Sequence, residues 1–257
     1  MQILVTFALE AEFAPWRTMH RFRRGAWARP DAYLAQMGGA DVVAALVGVG
    51  PRIASLRLAD ILRSSQDSID ICISAGVAGA LKPDYRIGEV LAAKSVRSEL
   101  AGENMSAPLL ESSGALVSFA AECGARVVER FYTAPRVIGR ADEKRHLGMI
   151  ADAVDMESFA ILKEAADRGV PAAAIRSISD LADEDLGVDF NQVLTPRGNV
   201  SFPRILEQLA RHPDSLPKFA KLGWRAKRAA KSLAGFLDRY VEAVAGRAPN
   251  VGGRAVA

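Results

Sequence analysis

The chain has 257 residues, half of them hydrophobic and a quarter charged, with a formal net charge of +3. That balance excludes a disordered polyelectrolyte and predicts one domain with a sizeable core, at the upper end of single-domain size. Cys72 and Cys123 lack metal-ligand spacing and His20, His146 and His212 are scattered, which argues against a zinc site and for a reduced, cytosolic compartment.

Much of the basic charge sits in two blocks, Arg17 to Arg29 and Lys218 to Arg228. Neither has the aromatic interleaving of a nucleic-acid module, so nucleic acid is not an expected partner. The apolar start, Met1 to Leu9, meets Glu10 and Glu12 at once and has no basic leader. It reads as a first strand, not a signal peptide. No apolar run is long enough to span a bilayer.

Ile3 to Phe7 reads as a buried strand, and Ala8-Leu9-Glu10-Ala11-Glu12 as the turn that opens a helix. Acids there suit the positive end of the helix dipole. The other reading is that Glu12 faces the crevice beyond the strand end, where α/β proteins bind ligands. Tyr33 to Met37 and Val42 to Val47 look like a strand pair joined at Gly38-Gly39. Gly48-Val49-Gly50-Pro51 then leads into a helix, Arg52 to Arg63, with Pro in the tolerated first turn. Those glycines would let backbone amides approach an anion or a hydroxyl. Their spacing is not the dinucleotide fingerprint.

Ile69 to Ser74 is apolar apart from Asp70, as a central parallel strand should be. The small residues Ala75-Gly76-Val77-Ala78-Gly79-Ala80-Leu81 read as a loop at its end. Gly88 to Ser95 supplies another strand and Glu99 to Ser113 a surface loop. Leu116 to Cys123 reads as helix, Val127 to Thr133 as extended, and Glu143 to Ile150 as helix. Ala153-Val154-Asp155-Met156-Glu157-Ser158 precedes a helix, Phe159 to Arg168. In one reading Asp155 caps that helix, Met156 is core and Glu157 is first-turn charge. In the other, a carboxylate grips vicinal hydroxyls while the thioether packs on a sugar.

The strand Pro171 to Ile178 breaks into Ser179-Asp180-Leu181-Ala182-Asp183-Glu184-Asp185. Asp180 is the candidate for chemistry, and helix capping by Ser179 or Asp180 is the competing account. Further on, Phe219, Leu222, Ala226, Ala229, Leu233, Phe236, Tyr240 and Val244 recur at helical spacing among six Lys and Arg residues. This basic amphipathic helix is expected to dock on its own domain or a partner subunit. Weak contact with a membrane surface is the alternative. The last residues, 246–257, are expected to be disordered.

Five stretches now stand in order: Ala8-Leu9-Glu10-Ala11-Glu12, Gly48-Val49-Gly50, Ala75-Gly76-Val77-Ala78-Gly79, Val154-Asp155-Met156-Glu157 and Arg176-Ser177-Ile178-Ser179-Asp180. Together they resemble the nucleoside phosphorylase superfamily, and within it the nucleosidases that hydrolyse methylthioadenosine and S-adenosylhomocysteine. The resemblance runs from Met1 to about Glu207. It implies a single α/β domain, residues 1–212, around a mixed, partly barrel-like central sheet flanked by helices. A C-terminal helical extension, 213–245, and a tail, 246–257, would follow. The family resemblance also implies a homodimer, a small-molecule nucleoside substrate and no metal or organic cofactor. By position, Asp180 looks like the general acid that protonates the purine at N7, and Glu12 like the base that activates water. Glu157 looks like the carboxylate on the ribose hydroxyls, with Met156 beside the sugar. Ser179, Gly76, Val77 and Ala78 fall at substrate-binding positions.

The chemistry fits those roles independently. Departure of the base leaves a ribosyl cation-like centre, so one group must protonate the base and another must offer water from the opposite face. A third carboxylate on the ribose would favour the developing charge. Glu10 and Glu12 stand where phosphorylases commonly present Gly and Arg, and no arginine lies in Ile71-Cys72-Ile73-Ser74 before the small-residue stretch. A buried phosphate dianion without cations is costly, so water is the expected nucleophile. The chain departs from the nucleosidase pattern at Val77, usually Ser, and in the short segment Ile138 to Asp142, where an aromatic normally meets the purine. Asp155-Met156-Glu157-Ser158 is similar to hopanoid-associated phosphorylase-like proteins, which act on adenosylhopane. Phosphorolysis, including that of a lipid-linked nucleoside, and non-catalytic nucleoside binding are therefore the competing expectations.

Overall fold

Three strands carry the architecture because both of their faces are covered. In the computed structural model, which describes residues 1–24, 32–64, 69–98, 109–186, 195 and 216–247, β1 (Gln2–Phe7), β5 (Ile71–Ala80) and β10 (Ala172–Asp180) are buried along almost their whole length. That is why they read as continuous apolar runs and not as alternating ones. β1 lies parallel between β4 (Ala40–Leu46) and β5, and β10 lies parallel to β5.

From β10 the sheet turns back on itself. β10 pairs antiparallel with β6 (Val90–Ser98), β6 parallel with β8 (Arg126–Thr133), and β8 parallel with β9 (Ala153–Asp155). β9 then closes antiparallel onto β5. These five strands form a closed, barrel-like ring. β1, β4, β3 (Ala32–Met37) and β2 (Arg23–Arg24) continue from β5 as an open wing, and β7 (Leu110–Glu111) pairs with β6. The chain is thus a single α/β domain with a mixed, partly barrel-like sheet, as the sequence led one to expect.

Helices cover the sheet. α1 (Glu10–Met19) follows β1 and is pinned by an aromatic cluster. The Phe13 ring lies 5.0 Å from Phe22 and 5.1 Å from Tyr33, and Trp16 lies 5.1 Å from Phe22. Such pairs add about 0.5–1.5 kcal/mol each beyond simple burial, and here they hold the helix that carries Glu12. Arg21, Arg23 and Arg24 are exposed, a solvated basic face. α2 (Pro51–Ser64) packs against α5 (Ser158–Ala166). α3 (Gly114–Glu122) and α4 (Ala141–Leu147) flank the far strands.

The long C-terminal helix α6 (Leu216–Gly246) docks on its own domain, against α1, β5 and β10. Only the second half of its apolar stripe is buried: Leu233, Phe236, Leu237, Tyr240, Val241 and Val244. Tyr240 donates its hydroxyl to Leu116 O at 3.0 Å. In the first half Trp224 stays 60% exposed. No helix of the described residues is long and apolar enough to cross a membrane. Residues 99–108, the 212/213 boundary, His212 and the tail from 248 lie outside the described residues.

Two local expectations are corrected. Ala75 to Ala80 is not a loop: β5 continues through Ala80. Its small residues serve close approach instead. A Cβ on Gly76 would sit 3.0 Å from Glu12 Oε1, and one on Gly79 only 2.8 Å from Asp180 Oδ1. And α4 begins at Ala141, earlier than Glu143, and ends at Leu147, short of Ile150.

Leu237 is fully buried on α6. We expect Leu237→Ala to lower unfolding free energy by about 2–5 kcal/mol, read as a lower urea midpoint at unchanged m-value.

Candidate active site

Because β1, β5 and β10 run parallel, their carboxyl ends open on the same side of the sheet, and the end of β9 meets them there. A cavity of about 180 Å³ lies at this rim. Of the residues singled out in the sequence, Glu12, Val77, Ala78, Met156, Glu157, Ser179 and Asp180 line it together. Gly76 does not line it and instead backs the Glu12 carboxylate. Arg136, Val137, Ile138 and Leu186 also line it.

Glu12 sits in the first turn of α1 but its carboxylate reaches across to β5. Oε2 accepts the N–H groups of Ala8 (2.9 Å) and Leu9 (3.0 Å), and Oε1 accepts Val77 N–H (2.9 Å). It therefore compensates its own helix and faces the cavity at once. Burial pushes its carboxyl above the usual range, outweighing these amides and the Arg176 guanidinium, which pull the other way.

Glu157 is gripped by the start of α2, where Gly50 N–H donates to its Oε1 at 2.7 Å. Gly48 and Gly50 have φ of +78° and +98°, a left-handed backbone that favours glycine. The acceptor awaited at this helix start is thus partly supplied by the protein itself. Burial, and then the neighbouring Asp155 carboxylate, raise the Glu157 carboxyl to about 8.

Asp155 plays the capping part: its Oδ1 accepts Thr133 Oγ1–H (2.7 Å) and the N–H groups of Glu157 and Ser158 (both 3.2 Å). Its Oδ2 lies 3.0 Å from Arg176 Nε. Arg176, buried inside β10, also donates to Ser74 O (2.7 Å) and Ser74 Oγ (3.1 Å).

Asp180 ends β10 and caps no described helix. Opposite Gly79 the β10–β5 register slips by one residue, so Ser179 is an unpaired bulge, a device that re-aims side chains beside sites. The Asp180 Oδ1 accepts from the ammonium of Lys144, and Ser179 Oγ lies 2.9 Å from its Oδ2. Lys144 is wholly buried and also donates to Leu181 O at 2.9 Å. Of the later acids, Glu184 pairs with Lys221 and Arg225, and Asp185 accepts Ala141 N–H. Neither lines the cavity.

Sequence reasoning assigned no role to Arg176 or Lys144. A charge inside an apolar strand could have marked Arg176. Lys144 sits among Asp142, Glu143, Arg145 and His146, and nothing in that run tells a buried charge from a solvated one. Among the described residues no group of three or more His, Cys, Asp or Glu side chains is arranged to hold a metal ion. What the cavity offers is four carboxyl groups, two of them raised by burial, against the two buried cations Arg176 and Lys144. Such an array favours positive charge developing within it and disfavours a second anion.

Known structures share this fold. A futalosine hydrolase mutant of Helicobacter pylori strain 26695 matches with a TM-score of 0.71 at 18% identity, over 94% of this chain and 98% of that one. A 5′-methylthioadenosine/S-adenosylhomocysteine nucleosidase of the same species matches at 0.70 and 20% identity, over 94% and 97%. The corresponding nucleosidase of Neisseria meningitidis, in complex with methylthio-immucillin-A, matches at 0.69 and 22%, over 94% and 98%. At these identities the likeness establishes the fold. The family description "Phosphorylase superfamily" matches residues 3–242, nearly the whole length, and the chain belongs to that superfamily.

Proposed function

We propose that this protein is a nucleosidase that hydrolyses the N-glycosidic bond of an adenosine-type nucleoside, releasing the free base and the sugar. The observation that carries the reading is that Glu12, Glu157 and Asp180, brought from three different elements, line one cavity together. Cleavage of an N-glycosidic bond asks for an acid at the leaving base and a base at the attacking water, and two carboxyl groups in one site supply such a pair. In this reading Asp180 delivers a proton to the departing base and Glu12 takes one from water. Glu157 holds the ribose hydroxyls with Met156 packed beside the sugar.

Water is favoured over phosphate on electrostatic grounds. Arg176 is bound to Asp155 and Ser74, Arg136 to Glu143, and Lys144 to Asp180. Among the described residues the cavity is lined by no cation besides Arg136, so a phosphate dianion would enter beside Glu12 and Glu157 at a cost. The same reading includes a cytoplasmic homodimer, whose mass light scattering would check.

Release of adenine from methylthioadenosine, S-adenosylhomocysteine, adenosine and lipid-linked adenosine should proceed without phosphate. Asp180→Asn and Glu12→Gln should each lower kcat by about 10²–10⁴ while nucleoside binding persists. An absolute phosphate requirement with ribose 1-phosphate as product would make the protein a phosphorylase. Binding without turnover of any nucleoside would make it a binding protein.

The raised Glu157 and Glu12 carboxyls yield a second expectation. Both act as carboxylates, so kcat/KM should fall as pH is lowered through about 8, with the limb belonging to the coupled pair. Stability runs the other way. The folded protein holds the Glu157 proton more tightly than the unfolded chain, whose ordinary value is 4.5. Its contribution is full below about 4.5 and is lost as pH rises through about 8. Melting curves of Glu157→Gln against wild type should therefore diverge in favour of the variant between roughly pH 5 and 8. Parallel curves would refute the assignment.

A further inference from the structure

The four carboxyl groups of the cavity are held in two different ways. Glu12 accepts three backbone amides, Glu157 accepts Gly50 N–H, and Asp155 accepts two amides and a hydroxyl. Asp180 receives no backbone N–H among the described residues; its charged partner is the Lys144 ammonium. The difference is chemical. A backbone amide cannot release its proton, so a carboxylate held by amides is a fixed acceptor. A carboxylate held by an ammonium shares a proton that can move.

Stability alone is a poor reason for this pair. A buried ion pair is often no better than an apolar pair of the same size, since two charges must leave water. Lys144 is 0% exposed, on a short helix whose neighbouring charges Asp142 and Arg145 face solvent. What the pair does accomplish is orientation. With Oδ1 on Lys144, Oδ2 beside the Ser179 hydroxyl and the carboxylate pressed against Gly79, the Asp180 side chain has one place to be. Its side chain remains 12% exposed, and Asp180 lines the cavity.

We propose that Lys144 is a positioning residue for departure of the base, acting through Asp180: it fixes that carboxylate and resupplies the proton Asp180 gives up. This rests on the hydrolytic reading above. In the step, the bond from C1′ to the base nitrogen breaks and its electron pair stays with the base. The base takes a proton from Asp180, and Lys144 passes one to Asp180 Oδ1. Water forms the new C1′–O bond and loses its proton to Glu12. Exchange with solvent returns that proton to Lys144, so atoms and charge balance over the cycle and nothing is oxidised or reduced.

The test compares the full chain carrying Lys144→Met, Asp180→Asn, or both, on a nucleoside and on p-nitrophenyl riboside, whose leaving group departs as a stable anion without a proton. Lys144→Met should lower kcat on the nucleoside by roughly 10–100-fold, part of the range for a positioned acid, with little change in KM. The ratio of nucleoside to p-nitrophenyl riboside turnover should fall by the same factor. Because Lys144 acts through Asp180, the double variant should be no slower than Asp180→Asn alone. Melting temperature and adenine binding establish that each variant is folded, and Lys144→Gln replaces the Met variant if that one is not. Equal losses on both substrates, a double variant slower by the product of the two effects, or wild-type turnover in Lys144→Met beside a slow Asp180→Asn would each overturn the role of Lys144. Wild-type turnover in Asp180→Asn would instead overturn the acid assignment itself, and with it the reading on which this proposal stands.

Discussion

Burying four acids around one small cavity is the condition to which the rest of the structure answers. An unpaired buried carboxylate costs several kcal/mol, so each must find partners, and each finds them on another element. Glu12 of α1 reaches the Val77 amide of β5, and Glu157 takes the Gly50 amide where α2 begins. Asp155 of β9 joins Thr133 of β8 to Arg176 of β10, and Asp180 of β10 is joined to Lys144 of α4. The polar network is thus also a set of ties among the ring of strands and three of the helices around it.

Those ties set the electrostatics of the cavity. Amides hold Glu12 as an acceptor, yet burial still lifts its carboxyl, and burial with Asp155 lifts that of Glu157. The site therefore favours protons, and a ligand that develops positive charge between these groups relieves the repulsion. Under the hydrolytic reading the ribosyl cation-like centre is that ligand. The same feature sets stability against activity, since the protonated acids suit the fold and the ionised ones suit the chemistry.

How much of this is legible in the chain depends on the range of the interaction concerned. The apolar runs of β1 and β10 and the helical stripe of α6 are local patterns, and they fold as read. Ala75 to Ala80 misleads because small residues suggest a turn when their actual neighbours are distant in sequence: Glu12 is 64 positions from Gly76, and Asp180 is 101 from Gly79. The alternatives for Glu12 and Asp155 prove not to exclude each other: each compensates a helix start and also borders the cavity. Asp180 differs, for no described helix uses it as a cap.

The sequence by itself determined the fold class, the strand ends where acids gather, and the order of the five stretches, because each is written in residues adjacent along the chain. The tertiary structure alone decided that Ser179 bulges out of register, that Gly76 backs the site and does not line it, and that Lys144 is the one charge of its helix turned inward onto Asp180. The physical reason is the same in all three. Which face a side chain shows, and what its charge meets there, is set by a partner strand or helix distant in the chain, and local composition carries no record of it.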